Sequence, residues 1–338
     1  MKTCLLKFVS ASTLIFGGLQ VSAQTEDTST TESKEVISTP APAAAPSWIY
    51  SVSYYKYDLQ GSNSANTRIY GFDASTVDLY LATATWLYSP QWTFIAFVPY
   101  IKNMVETIYE PTPAGLNFKT RDYTEGLGDI RLMGLSPLWA SGRNLLMYDV
   151  SVTLPTGSTD EYFTSAPTQR AAYNMQPGTG TPDLILGGTY YYTVDKWVSS
   201  ARAQATVRGG KNAHGYAFGN EFQANLTSKY QLTSYFNLGA QFNYKVRDAI
   251  QGRDGKYELN NNYVSPVDPA IAGDGHQYYH APQINWDASV VAKLQSPTWS
   301  GYSVSLEAAL PFYQEAINKD DIRLDINNWF AVTVNAAF

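Results

Sequence analysis

The three histidines are the first residues to consider for acid–base or metal chemistry, because neutral imidazole serves both as a general base and as a ligand. They are His214, His276 and His280. Acyl transfer by a serine requires such a base within hydrogen-bond reach, and the sequence contains no His-x-Ser-x-Gly arrangement. All three histidines fall in segments that we predict to be loops. A serine–histidine catalytic pair is therefore not supported.

Two other segments have residue types that suit catalysis or ligand binding. AGDGHQYYH (272–280) offers Asp274, His276 and His280, which could bind a metal or form an aspartate–histidine site. This group lies on one long loop without a supporting strand pair, so we predict solvated polar groups instead. RGGKNAHG (208–215) lacks the spacing of a phosphate-binding loop. The prediction is that the chain is not an enzyme and holds no metal or cofactor.

Charged residues recur at alternate positions of several segments, and this spacing could build a polar passage. Alternate side chains of a β-strand point to one face, and charges facing lipid would cost about 2–4 kcal/mol at the bilayer midplane. We therefore predict that these residues face an interior, where Arg131, Arg202, Glu221 and Lys245 are the selectivity candidates. The full predicted set is Asp78, Asp129, Arg131, Asp149, Asp183, Arg202, Arg208, Glu221, Lys229, Lys245, Arg247, Asp287, Lys293 and Glu307.

The elements that carry these charges are predicted to be strands of a membrane barrel. In YFNLGAQFNYKVR (235–247), Leu238 and Phe242 alternate with Gln241 and Lys245. Such segments approach the roughly 9–11 residues that cross a bilayer as a tilted strand, and their ends are rich in aromatic residues, as at membrane interfaces. We predict twelve strands: 48–59, 75–88, 92–102, 125–138, 144–154, 181–192, 197–208, 216–230, 235–247, 283–294, 301–311 and 326–338.

The connections between these strands alternate between short turns and longer loops. The longer ones are predicted at 60–74, 103–124, 155–180, 209–215, 248–282 and 312–325. Outer-membrane barrels combine an even strand number with short periplasmic turns and longer external loops. The fold class is therefore all-β, an antiparallel transmembrane β-barrel of twelve strands over residues 47–338, with both termini periplasmic.

The last strand ends the sequence on an apolar alternation, WFAVTVNAAF. A terminal strand is safe from aggregation when it pairs with the first strand and the barrel closes. Barrel assembly machinery is the predicted partner of this segment. The predicted assembly signal consists of Phe338, Ala336, Val334, Val332 and Phe330.

The N-terminal segment indicates export. Residues 1–23 contain Lys2, Lys7, an apolar run and a small-residue cleavage site ending at Ala23, which predict a signal peptide. Residues 24–46 are rich in Thr, Ser, Glu, Pro and Ala and are predicted to be a flexible periplasmic leader. The single cysteine, Cys4, lies in the signal, so the exported chain would have no disulfide.

Overall composition argues against nucleic acid as a partner and is compatible with insertion into a membrane. Removing Lys2 and Lys7 changes the formal charge from −6 to −8, which argues against nucleic acid as a partner. The mean hydropathy of −0.24 is compatible with a membrane barrel, whose strands interleave polar residues. The predicted location is the outer membrane of a Gram-negative bacterium, in contact with its lipid.

Two motifs resemble those of a known family. GLGDIRLMGLSPLW (126–139), followed by SVTLPTG (151–157), is similar to the outer-membrane barrel family named for the meta pathway of phenol degradation. The resemblance implies a barrel that admits hydrophobic or aromatic compounds. Two functions remain open: a channel or transporter for such small molecules, and a structural or surface-binding barrel that transports nothing.

Overall fold

The computed structural model describes residues 47–62, 70–109, 118–164, 167, 170–171, 173–252, 283–295, 301–316 and 323–337. The predicted signal peptide, the predicted leader and Phe338 lie outside these residues. The strands are β1 (Ser47–Ser62), β2 (Tyr70–Leu87), β3 (Thr93–Tyr109), β4 (Phe118–Leu127), β5 (Ile130–Ser141), β6 (Asn144–Leu154), β7 (Asp183–Val194), β8 (Trp197–Arg208), β9 (Tyr216–Ala217), β10 (Glu221–Gln231), β11 (Phe236–Arg247), β12 (Gln251–Gly252), β13 (Gln283–Gln295), β14 (Tyr302–Ala316) and β15 (Arg323–Ala337).

These strands form a closed antiparallel barrel with twelve strand positions around the ring, which confirms the predicted fold class. Neighbouring strands pair in the order β2-β1-β15-β14-β13-β11-β10-β8-β7-β6-β5-β3, and β2 pairs with β3 to close the ring. β4 and β5 together occupy one of the twelve strand positions, since both pair with β3. β1 pairs with β15 from Ile49↔Ala337 onwards, so the last strand has both edges satisfied.

Side-chain burial follows the alternation that the sequence predicts. On β11, Gln241 is buried while Leu238 is 42% exposed. Exposed apolar side chains of a closed barrel face lipid. Outward aromatic rings gather towards both ends of the strands, with Trp48 stacked 5.6 Å from Trp86 at one end and Tyr54 lying 5.1 Å from Tyr80 nearer the other. These rings are the two interfacial bands expected of a membrane barrel.

The barrel has a short-turn end and a long-loop end. Four of the turns at the first are 88–92, 142–143, 195–196 and 232–235, and the strand ends Ser47 and Ala337 lie there too. The second is formed by the opposite strand ends, at which β1, β3, β6, β8, β11 and β14 end. The only helical element among the described residues is a 3₁₀ turn, Tyr173–Met175. Within the described ranges, no helix has the length and apolar content needed to cross a membrane.

The predicted loop at 103–124 is wrong over most of its length. β3 continues to Tyr109 and β4 begins at Phe118. Beyond the lipid-facing zone the outer face of this hairpin becomes charged, with Lys102 and Glu125 forming an ion pair of 3.5 Å. The inner face stays buried, as Asn103 and Val105 show. The strand prediction required apolar residues on the outer face, so a strand with a charged outer face was predicted to be a loop. The same extension lengthens β1, β2, β14 and β15.

Two further strand boundaries differ from the prediction. The expected strand at 125–138 is interrupted at Gly128–Asp129, and the expected strand at 216–230 begins as barrel only at Glu221. Tyr216–Ala217 instead pairs with Gln251–Gly252 in a separate two-stranded sheet. Both differences arise where loops at the long-loop end pack against the barrel.

Candidate functional site

The barrel interior has one apolar side, which we call the apolar wall. It is built by inward side chains of β15, β1, β2, β3, β5 and β14, all at most 6% exposed. Tyr55 and Tyr57 stack with centroids 6.2 Å apart, and Trp329 lies 5.8 Å from Tyr57. The members of the wall are Tyr55, Tyr57, Leu59, Val77, Leu79, Leu81, Ile95, Phe97, Ile101, Met133, Ala309, Trp329 and Ala331.

The opposite side carries a chain of charged and amide side chains, which we call the charged ladder. It begins with the buried Asp149 on β6, whose carboxylate lies between two guanidinium groups. Arg202 donates from both terminal nitrogens to Asp149, at 2.8 and 2.9 Å. Arg131 Nη2 lies 3.8 Å from Asp149 Oδ1 and donates to Ser151 Oγ at 3.0 Å. A bidentate, buried pair of this kind fixes both partners.

The ladder continues through two glutamines to a second ion pair. Arg202 Nη2 donates to Gln204 Oε1 at 3.0 Å, and Gln204 Nε2 donates to Gln223 Oε1 at 3.0 Å. Gln223 in turn donates to Glu221, and Lys245 Nζ lies 2.8 Å from Glu221 Oε2. The four predicted selectivity candidates thus belong to one connected chain on β5, β6, β8, β10 and β11.

Three members of this chain were not selected as site residues from the sequence. Asp149 was predicted only as one inward charge among many, and Gln204 and Gln223 are uncharged. Gly187 on β7 is also essential to the geometry, because a Cβ there would lie 2.5 Å from Asp149 Oδ2 and 2.8 Å from Arg202 Nη2. The sequence signal that could have found it is a glycine inside a strand, which marks a close approach.

One predicted interior charge is placed on the wrong face. Asp78 accepts a hydrogen bond from Tyr54 Oη at 2.6 Å on the outer surface, while its neighbours Val77 and Leu79 are the buried ones. The residue avoids lipid because β2 extends past the apolar zone, where an outward carboxylate is next to polar groups. The assumption that every charge on a strand faces inward fails there.

A second interior cluster lies between the charged ladder and the apolar wall. Glu307 on β14 accepts hydrogen bonds from Ser289 Oγ at 2.6 Å and from Gln241 Nε2 at 3.2 Å. Asp287 on β13 accepts from Asn243 Nδ2 at 2.7 Å. The carboxylates next to the apolar wall are thus hydrogen-bonded by neutral groups, whereas those of the ladder are paired with cations.

The loop between β6 and β7, which we call the mouth loop (155–182), folds across the long-loop end. Asn103 Nδ2 on β3 donates to Met175 O at 2.8 Å, and Thr124 on β4 donates to the same oxygen. On the other side, Tyr173 stacks at 4.0 Å on Tyr216. The contacts form an apolar layer, the mouth cluster, composed of Val105, Ala171, Tyr173, Met175, Tyr216, Phe218 and Ile250.

The mouth cluster spans the barrel from one side to the other. Val105 lies on β3 and Ile250 follows β11, and the strand order puts β3 and β11 six positions apart in a ring of twelve. They therefore lie on opposite sides of the barrel. The structure has the loop predicted at 155–180, and several of its residues, among them Tyr173, Met175 and Gln176, are buried in the barrel mouth.

Of the residues considered for catalysis, His214 alone is described. It approaches Thr159 Oγ1 at 3.1 Å and Arg170 Nη1 at 3.0 Å, within contacts that hold the mouth loop. Asp274, His276 and His280 lie outside the described residues. Among the residues that are described, no group of three or more His, Cys, Asp or Glu side chains is arranged to bind a metal.

The outer surface has a groove of its own. It has a volume of about 410 Å³ and is lined largely by lipid-facing residues, which surround the small residues Ala84, Ala96 and Gly134. Trp48, Trp86 and Phe94 border it. The groove is part of the lipid-facing surface and not of the lumen.

Comparison with known proteins identifies the class to which this barrel belongs. The model of the family described as "Putative MetA-pathway of phenol degradation" matches residues 52–266, well beyond the two motifs at 126–157. The chain belongs to this family, and its fold is that of an outer-membrane β-barrel. No curated protein matches it by sequence.

The chain is also similar to solved structures. An outer membrane channel from Pseudomonas putida F1 superposes with a TM-score of 0.55 at 13% identity, covering 90% of this chain and 100% of that one. A FadL homologue from Pseudomonas aeruginosa gives a TM-score of 0.39 at 9% identity, covering 87% of this chain and 90% of that one. Only the first is close enough to support an argument, and at this identity that argument concerns the fold alone.

Proposed function

We propose that this protein is an outer-membrane channel that passes small molecules with an apolar or aromatic part. The observation that carries the proposal is the two-sided interior: an aromatic and aliphatic wall faces a ladder of charges inside one closed barrel. Apolar surface binds rings and aliphatic groups, while a charged side binds water and polar substituents. A solute with both characters would contact both sides at once.

The selectivity candidates keep their role in this proposal in a modified form. Arg131, Arg202, Glu221 and Lys245 act as paired groups, so the solute meets the outer atoms of ion pairs instead of isolated charges. Pairing lowers the field of each charge, while the Arg131–Asp149–Arg202 group keeps one net positive charge, which favours neutral solutes and monovalent anions. They also hold the strands that carry them in register.

The proposed orientation puts the short-turn end in the periplasm and the long-loop end outside. It is supported by the distribution of connection lengths and by the position of both strand ends at the short-turn side. In this arrangement residues 1–23 direct export, and residues 24–46 remain in the periplasm. Membrane lipid contacts the outward apolar face, including the groove beside Ala84 and Ala96.

We further propose that the C-terminal strand is the signal for barrel assembly. Phe330 and Val334 are exposed on the outer face of β15, and Val332 and Ala336 share that face. Phe338 continues the alternation in the sequence. Deleting Phe338 should lower the heat-modifiable, membrane-inserted fraction in cells while leaving export intact. Unchanged insertion kinetics would contradict this role.

The proposed function is tested by transport with three matched anions. Refolded protein in planar bilayers should show discrete conductance steps. In liposomes, benzoate and cyclohexanecarboxylate should enter faster than gluconate, which has the same charge and a comparable size but no apolar part. Protein-free liposomes correct for passive leakage. Flux of all three at the protein-free rate, without conductance, would reject a channel.

The second candidate function is a barrel that transports nothing. One observation favours it: the interior charges are largely paired with each other, and the mouth cluster bridges the lumen. Such packing suits a structural or surface-binding protein. The transport experiment separates the two candidates, because only the channel predicts solute flux.

A further inference from the structure

The two family motifs contact each other at the base of the mouth loop. Thr156 Oγ1, in the LPTG segment, donates to Gly128 O at 3.0 Å and accepts from Ile130 N at 3.0 Å. Gly157 N donates to Asp129 Oδ1 at 2.9 Å. GLGD on one strand and LPTG on the next are therefore two halves of one structure, at the point where β4 gives way to β5.

The carboxylate of Asp129 connects both ends of the mouth loop. Besides the bond from Gly157 at the loop's start, its Oδ2 accepts from Thr179 N at 2.7 Å and from Thr179 Oγ1 at 2.6 Å near the loop's end. Asp129 is 6% exposed, and hydrogen bonds to a buried carboxylate are among the stronger ones in proteins. One side chain thus closes the loop at its base.

Glycines allow this close approach. A Cβ on Gly178 would lie 2.1 Å from Gly157 O, and one on Gly157 would lie 2.5 Å from Gly178 Cα. A Cβ on Gly128 would meet Pro177 O at 3.3 Å. The strand break at Gly128–Asp129 and the glycine pair are explained together, because any side chain at these positions would push the loop away from Asp129.

The loop held in this way is the one that crosses the lumen. Met175, four residues before Thr179, is bound by Asn103 and Thr124 and belongs to the mouth cluster. Gln176 is fully buried and bonds Glu161 and Ala171, which keeps the loop folded on itself. A loop so anchored lies across the mouth of the barrel.

We propose that Asp129 is a positioning residue that clamps the mouth loop across the lumen, and that releasing this clamp opens the route for solutes. The second half of this statement rests on the proposed channel function; the first half does not. The clamp consists of Asp129, Thr156, Gly157, Gly178 and Thr179. Asp129 contacts no solute in this proposal and acts only through the loop.

The clamp is tested by limited proteolysis, which needs no transport. Arg170 in the mouth loop is 8% exposed, so trypsin should cut the folded wild type slowly after this residue. Asp129→Ala should increase cleavage between Arg170 and Ala171 about 10- to 100-fold, since it removes three bonds to a buried charge. Asp129→Asn and Thr179→Val should have intermediate effects. Fragment masses identify the cut.

Flux through the same variants tests the barrier. Benzoate entry into liposomes should rise in the order wild type, Thr179→Val, Asp129→Asn, Asp129→Ala. Glu125→Gln is the matched control, because this carboxylate lies on the exposed face of β4 and pairs only with Lys102 in the described contacts. It should leave both cleavage and flux at wild-type values. Heat-modifiable mobility shows that each variant forms a barrel.

Each outcome decides part of the proposal. Wild-type cleavage rates in folded Asp129→Ala would overturn the clamp. Increased cleavage with unchanged flux, in a wild type that conducts, would overturn the loop's role as the barrier. Increased cleavage with no flux in any variant would reject the channel function and the barrier together, while supporting the clamp.

Discussion

The apolar wall and the charged ladder line opposite sides of one barrel interior, and different interactions stabilise them. The wall uses rings and branched side chains, whose burial is non-directional and tolerates similar shapes. The ladder uses ion pairs whose members are each strongly destabilising when left alone. The stability of the ladder therefore depends on pairing, whereas the stability of the wall depends on packed volume. Variants can separate the two.

The largest expected effect is the loss of the ladder's central carboxylate. Asp149→Ala leaves Arg131 and Arg202 facing each other without their shared partner, which should cost about 3–5 kcal/mol of unfolding free energy. The measurement is denaturant unfolding of the refolded barrel. Glu125→Ala on the exposed face is the control and should cost at most about 1 kcal/mol. Equal effects of the two variants would show that the ladder does not differ from surface pairs.

A neighbouring pair of glycines gives the next largest contrast. Gly187→Ala would put a methyl group 2.5 Å from Asp149 Oδ2 and should destabilise the barrel by about 1–3 kcal/mol. Gly188→Ala is the matched control, since the nearest atom to its Cβ is Met147 O at 3.6 Å. Thermal unfolding of both variants measures the difference. A Gly187→Ala barrel as stable as Gly188→Ala would mean that the pair over Gly187 moves freely.

The wall is tested by removing a ring without adding polarity. Tyr57→Leu keeps the site apolar but removes a ring, worth about 0.5–1.5 kcal/mol in an aromatic contact. We expect benzoate flux relative to cyclohexanecarboxylate flux to fall about two- to tenfold. Tyr50→Leu, on the outer face, should leave this ratio unchanged. A ratio that is the same in both variants would remove ring recognition from the wall's role.

The pairing of Glu221 and Lys245 should have a smaller effect, on ion selectivity. Lys245→Met leaves a negative charge and should raise the cation-to-anion permeability ratio about two- to fivefold, because a unit charge a few ångströms away contributes about 1 kcal/mol in water-like surroundings. Glu221→Gln should lower the ratio, and the double variant should return close to the wild type. Reversal potentials in a salt gradient provide the measurement. Single variants with wild-type ratios would mean that permeating ions do not pass this pair.

The smallest effect on unfolding free energy is expected for Asp78, a carboxylate on the outer face of the barrel. Asp78→Asn weakens one partly exposed hydrogen bond with Tyr54 and should cost about 0.5–1 kcal/mol or less. Asp183→Asn, which disrupts the buried ion pair with Arg208, should cost clearly more. Denaturant midpoints compare the two. If Asp78→Asn were as damaging as Asp183→Asn, the placement of Asp78 on the outer face would be wrong.

Much of the fold could be predicted from the sequence because barrel strands obey a local rule. Period-two alternation in segments such as 235–247 fixed the strand positions, and the alternation of short and long connections indicated the two ends of the barrel. The rule failed at Lys102 and Asp78, where the strands leave lipid and polar residues face outward. It failed because alternation reports which face a residue occupies but not which solvent that face meets.

The amino-acid sequence was sufficient to predict the fold class, the twelve barrel strands and the inward face of Arg131, Arg202, Glu221 and Lys245, because alternation along a strand is a local property. Which groups pair could not be predicted, because Asp149 on β6 lies 53 residues before Arg202 on β8 and the two side chains meet across Gly187 of the intervening strand β7. Only the tertiary structure decided this pairing, and it likewise decided that GLGD and LPTG hold the mouth loop in the lumen. Both depend on contacts between distant segments, which local periodicity does not encode.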